Sequence, residues 1–159
     1  MKLQLLLGIA AIVAQSMFGG APVDGIRCDA SEGAAQHVHA DLQIFNHGRP
    51  LEIPAAIGIP VDAGCLYWVH THSANGIIHI ESPVKRAFTL GEFFDIWGPQ
   101  LSWTRAGAVR AARGARLSIV VNGRPWHGAD PRAIVLRDRE QIVIQAAPPL
   151  AKPVRPNWP

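Results

Sequence analysis

Methionine and cysteine are scarce in this chain. The only two methionines, Met1 and Met17, lie near the start. That argues against a Met-rich Cu(I) carrier, which needs soft thioether ligands in its working domain. The only two cysteines are Cys28 and Cys65. Charged residues make up 17% and the net charge is +3, too mild a basic balance to identify a polyanionic partner. Arg105, Arg110, Arg113 and Arg116 cluster, but no aromatic residue interleaves them to stack on bases, so no nucleic-acid partner is expected. Phosphate loops and dinucleotide fingerprints are missing. Ser73 and Ser82 lie near histidines without a nucleophile elbow around them.

No apolar run reaches the roughly 20 residues of a bilayer span. The longest, Leu3 to Val13, follows Met1-Lys2 and reads as a secretory signal over residues 1–21. Gly19-Gly20-Ala21 offers small residues for cleavage, and Pro22 directly after them leaves a retained anchor open. A periplasmic or extracellular location is therefore expected, with no transmembrane segment in the mature chain unless the signal is kept. A length of 159 residues, 48% of them hydrophobic, suits one domain with a real core. We place it at residues 26–147. Beyond it, Pro148, Pro149, Pro153, Pro156 and Pro159 predict a disordered or polyproline-like tail over 148–159.

Two thiols exported to an oxidising compartment usually pair, which predicts a Cys28–Cys65 disulfide. The alternative is thiolate ligation of a metal. Cys65 has the opposite strand parity to His70 and His72, so an ideal strand points it away from them.

What the chain does have is a histidine-rich stretch, Cys65-Leu-Tyr-Trp-Val-His-Thr-His-Ser-Ala-Asn-Gly-Ile-Ile-His-Ile-Glu81. Aromatic and β-branched residues flank Asn75-Gly76, the pattern of two antiparallel strands joined at a tight turn where both residues can take positive φ. On an ideal strand Trp68, His70 and His72 share one face. A two-residue loop sets His72 opposite His79 and His70 opposite Glu81; a four-residue loop pairs His70 with His79. Either keeps His70, His72 and His79 on one face, and only an odd loop or a bulge breaks this. Three imidazoles so placed can converge on one metal, and Glu81 can orient a ligand, bind the metal or accept a proton, with support of a ligand imidazole favoured. The bland reading is a solvent-facing sheet surface that happens to carry histidines.

His37-Val38-His39-Ala40-Asp41-Leu42-Gln43-Ile44 alternates polar and apolar, which predicts a half-buried strand with His37, His39 and Asp41 on its polar face. The second His-x-His can complete the first site, form another or stand idle in water, and joining the first cluster is favoured. His47, in the Asn46 to Pro50 turn, reads as a solvated turn residue. Thr89-Leu90-Gly91-Glu92 has capping-box spacing and predicts one short helix from Leu90 to Trp97, ended by Gly98-Pro99. Strands are expected at Leu117 to Val121, Ala133 to Leu136 and Gln141 to Gln145, with turns at Asn122-Gly123 and Arg137-Asp138. The segment from Leu117 to Pro125 echoes that from Leu42 to Pro50. The fold class is mainly β, an antiparallel sandwich or barrel-like domain with one short helix.

His37-Val-His39, the block from Cys65 to His72, Gly76-Ile-Ile-His79-Ile-Glu81-Ser-Pro83 and Phe88-Thr-Leu-Gly-Glu-Phe-Phe-Asp-Ile-Trp97-Gly98 together resemble an uncharacterised family of exported or membrane-tethered bacterial and archaeal domains. The resemblance spans Gln36 to Ala147. It implies one fold unit and carries no activity; its relatives commonly have Asp where this chain has Ser73.

Imidazole donors suit zinc, copper, nickel or iron. Zinc is preferred and copper is the alternative, because three histidines plus water form an open catalytic geometry that lowers the pKa of bound water to about 7. The ligand spacing is similar to that of α-type carbonic anhydrases, a likeness of site alone. It departs from the cupin pattern, which needs Glu where Gly76 stands. The expected function is therefore an extracytoplasmic metal-binding protein. A zinc-hydroxide hydratase or hydrolase on a small substrate is one alternative, and a structural or interaction domain is another.

Overall fold

The structure, a computed structural model, describes residues 20–159. The expected export signal therefore lies outside the described residues except for Gly20 and Ala21. Along the chain come β1 (Cys28–Asp29), β2 (Gln36–Asn46), β3 (Arg49–Leu51), β4 (Leu66–Tyr67), β5 (Val69–His70), β6 (Ile77–Ser82) and α1 (Leu90–Trp97). After the helix follow β7 (Leu101–Ser102), β8 (Arg105–Ala106), β9 (Val109–Arg110), β10 (Ser118–Val121), β11 (Arg124–Pro125) and β12 (Glu140–Ala146).

The main sheet runs β11-β10-β12-β2-β6-β5, with β3 taking over the edge of β2 beyond β6. It is open rather than closed into a barrel. The β12–β2 pairing is parallel and the others in this sheet are antiparallel. Because neighbours in register share a face, Val38, Ala40, Leu42 and Ile44 of β2 line up with Ile78 and Ile80 on one side and Ile142 and Ile144 on the other. This apolar face joins α1 and the small β7-β8-β9 sheet in a single core. Over the described residues the result is a mainly β, sandwich-like domain with one short α-helix.

The helix has its expected bounds for the expected reasons. Thr89 Oγ1 accepts from the Glu92 amide at 3.3 Å, and the Glu92 carboxylate accepts from the Thr89 amide at 2.7 Å. Gly98, at φ 100°, closes the C-terminus by donating to the Phe94 carbonyl at 2.7 Å. Phe93 and Phe94 are fully buried, which contributes about 2–3 kcal/mol for each ring. The expected disulfide is present too. Cys28 and Cys65 are joined with Cα atoms 5.3 Å apart, and β1 pairs with β4 beside it.

The echo between the two segments is a repeated hairpin. His47-Gly48 and Asn122-Gly123 each place two consecutive residues at positive φ, 48° and 80° in the first and 50° and 76° in the second. The strands close as Asn46 opposite Arg49 and Val121 opposite Arg124. Positive φ at both central residues gives the turn a twist that matches its flanking strands.

Four expectations need correction. Asn75-Gly76 is not a two-residue turn: only Gly76 has positive φ, 82°, while the Asn75 side chain accepts from the Ile77 amide at 3.0 Å. The strand expected from Ala133 to Leu136 is a 3-10 turn, Pro131–Ala133, followed by one bridge from Val135 to Thr89. Asp130 caps that turn and Pro131 opens it, so the backbone is committed before the apolar residues begin. The turn before β12 falls one residue later than expected, with Arg139 at φ 55° and the Glu140 amide bonded to the Arg137 carbonyl. Trp68 does not join the histidine face. A bend interrupts the strand there, and the ring sits in the core edge-on to Phe88 while its Nε1 donates to Asp29 at 2.6 Å.

The tail has neither helix nor strand. Its backbone is nevertheless engaged: Val154 exchanges hydrogen bonds with the Gln43 side chain, and Ala151 with Gln145.

Candidate metal centre

The polar face of the main sheet carries the histidines. β5, β6 and β2 lie side by side with His70 opposite His79 and His79 opposite His39, so three imidazoles form one row. Glu81 and His37 face each other two residues along. His72 lies past the end of β5, yet its ring centre is 4.7 Å from that of His70 and 4.5 Å from that of His79. The site thus has the register that a four-residue loop gives. His72 arrives from the loop rather than from the ladder.

Two sets of side chains bring ligand atoms within 4.8 Å of one another: His37, His39, His79 and Glu81, and His70, His72, His79 and Glu81. Each set could hold a metal ion. The spacing fits that chemistry. Bonds of 2.0–2.1 Å around a tetrahedral zinc put neighbouring donors roughly 3.3 Å apart. His70 Nε2 lies 3.1 Å from His72 Nε2 and 3.6 Å from Glu81 Oε2, while Glu81 Oε1 lies 3.2 Å from His37 Nε2 and 3.3 Å from His79 Nδ1.

Burial is graded across the cluster. The His70 side chain is 0% exposed and Glu81 4%, whereas His72 is 43% and His37 58% exposed. The inner donors are therefore fixed and the outer ones face solvent. His70 Nδ1 lies 2.8 Å from the Tyr67 carbonyl. A carbonyl only accepts, so Nδ1 carries the proton and Nε2 keeps its lone pair turned into the site. Burial holds the pKa of His70 below the ordinary imidazole value, and does the same to His39 with help from the neighbouring His37. His79 is pushed down to about 4, first by burial and then by His39, His72 and His37. These three imidazoles are neutral at pH 7, the state in which they bind metal.

All the residues expected at the site, His37, His39, His70, His72, His79 and Glu81, are in one or both sets. Cys65 is excluded as a thiolate ligand by its disulfide. Asp41 shares the face of His37 and His39 but belongs to neither set; Gln43 and Gln141 donate to its buried carboxylate at 2.8 and 3.1 Å, and burial raises its pKa. His47 lies apart, with Nδ1 2.7 Å from the Pro148 carbonyl.

Glu32 escaped sequence reasoning. Its Oε1 lies 3.5 Å from His72 Nε2, although Ser31-Glu32-Gly33 reads only as a polar loop. The one signal is Gly33. Its amide donates to the Glu81 carbonyl at 3.3 Å, and a Cβ there would fall 2.2 Å from backbone atoms of Ser82 and Pro83. Only glycine lets the loop lie against the end of β6 and bring Glu32 over the cluster.

No protein-family model matches the chain. Nor does any curated protein or any solved structure.

Proposed function

We propose that this is an extracytoplasmic metal-binding protein that takes zinc or copper on its histidine cluster to buffer, deliver or sense the ion. One observation carries the reading. Among the described residues Glu81 Oε2 is buried without a hydrogen-bond partner, and it faces the unprotonated Nε2 of His70 at 3.6 Å. Two lone pairs held against each other out of water are costly, and a cation between them turns the cost into a bond. Zinc is preferred because the donors are imidazole and carboxylate, and the solvent-facing His37 and His72 leave room for water. Export is supported by the signal-like residues 1–21, by the disulfide, which persists in oxidising compartments, and by the resemblance to exported domains.

That outward opening also favours a second reading, a zinc-hydroxide enzyme on a small substrate. A water held there would ionise near pH 7. The zinc-loaded protein would then speed CO2 hydration or ester hydrolysis with a rate that rises through neutral pH; no rate above that of free zinc would end this reading.

The metal reading is tested by elemental analysis of untagged protein purified after export, beside a His70→Ala/His72→Ala/His79→Ala variant. Zinc or copper bound to the parent and absent from the variant is expected. Metal in neither, with no uptake on titration, would leave the histidines as sheet surface.

A further inference from the structure

The two ligand sets are compatible with simultaneous occupation. They share His79 and Glu81 but otherwise draw on opposite sides of β6, with His37 and His39 coming from β2 and His70 and His72 from β5 and the loop after it. The Glu81 carboxylate lies between them and presents one oxygen to each side. Oε1 lies 3.2 Å from His37 Nε2 and 3.3 Å from His79 Nδ1, while Oε2 lies 3.6 Å from His70 Nε2. Five imidazoles and a carboxylate exceed what one tetrahedral ion accepts. A single ion on either side would leave the other pair of histidines and one carboxylate oxygen unused.

We propose that the cluster is a dinuclear metal centre bridged by Glu81. One ion sits on His70, His72 and Oε2, and the other on His37, His39, Oε1 and Nδ1 of His79. The inference rests on the reading of the cluster as a metal site and adds its nuclearity and its bridge. Carboxylate-bridged pairs in hydrolytic enzymes stand about 3.5–4 Å apart, a separation that the two oxygens of one carboxylate can span. Glu32, 3.5 Å from His72 Nε2 on the solvent side, supplies a further donor for the first ion. Two carboxylates against two divalent ions leave the centre with net positive charge. With four protein donors on the second ion, the exchangeable position is that of Glu32 on the first, where an anionic oxygen (hydroxide, or a carboxylate or phosphate group of a substrate) would take its place.

The test is zinc titration of the mature, untagged chain in a chelator-buffered series, read by native mass spectrometry. The parent is expected to take up two ions, and the His37→Ala/His39→Ala and His70→Ala/His72→Ala variants one each. A parent that saturates at one ion overturns the dinuclear centre while the metal-binding reading stands; no uptake at all overturns both. Copper provides a second readout on the parent alone, independent of whether the variants fold. Two Cu(II) ions joined through Glu81 give a half-field paramagnetic resonance signal. Two ions bound without one, each with the spectrum of an isolated Cu(II), overturn the bridge.

Discussion

Acidifying the metal-free protein tests the electrostatics of the cluster through His79. Burial and the neighbouring His39, His72 and His37 lower its pKa from 6.5 to about 4 in the fold. The unfolded chain releases those constraints and takes up a proton near pH 6.5. A group whose folded pKa is depressed contributes full stability above its unfolded pKa and loses it as pH falls towards the folded value. The window here is pH 6.5 down to 4. Linkage gives a loss of about 2 kcal/mol at pH 5 and about 3 kcal/mol at pH 4 from this side chain. The assay is urea unfolding of chelator-treated protein at pH 7.5 and pH 5.0, on the parent and on His79→Gln. His39 and His70 are lowered as well, so both proteins weaken in acid, but the parent should lose about 2 kcal/mol more than the variant. Equal losses in the two would refute the account, because they would mean that His79 ionises as freely folded as unfolded.

Other perturbations test the frame around the site. Replacing both Cys28 and Cys65 by serine opens a link across 37 residues and should cost about 4 kcal/mol in chemical denaturation, with a change under 1 kcal/mol contradicting the chain-entropy account. Gly33→Ala drives a Cβ into the Ser82–Pro83 backbone; it should cost about 1–3 kcal/mol and weaken zinc binding by displacing Glu32, and a normal zinc isotherm would show that Glu32 does not contribute. His47→Ala, remote from both ligand sets, should leave metal content unchanged in elemental analysis. Phe93→Ala empties a fully buried position and should cost about 3–5 kcal/mol in thermal or urea unfolding, with a smaller loss meaning that the helix packs loosely.

Local chemistry made part of the fold legible in the sequence. Thr89, Glu92 and Gly98 name both ends of the helix because each satisfies a particular backbone group at a helix terminus. The alternation from His37 to Ile44 is read correctly as a half-buried strand because period two has no helical equivalent. The segment from Ala133 to Leu136 misleads, since a short apolar run says nothing of its backbone and the preceding Asp130-Pro131 cap decides it. The parallel pairing of β12 with β2 has no local signature at all. It arises because the intervening chain crosses the apolar face and returns on the far side of β2.

The site was legible in composition but not in register, and the reason is geometric. A hairpin slip of two residues exchanges one partner for another without turning any side chain to the opposite face. Moving from the two-residue to the observed register therefore replaces the His72–His79 pair by His70–His79 and leaves all three imidazoles on the face that β2 shares. That is why a wrong turn still brings the same three imidazoles together. What parity cannot supply is depth. Glu81 reads from sequence as a supporting partner because a strand pattern ranks residues by face and not by burial. Its place between two histidine pairs follows from β6 being an inner strand, flanked by β5 and β2. An inner strand has neighbours on both sides, so the one carboxylate it contributes to the polar face meets both pairs at once; on an edge strand the same residue would meet only one.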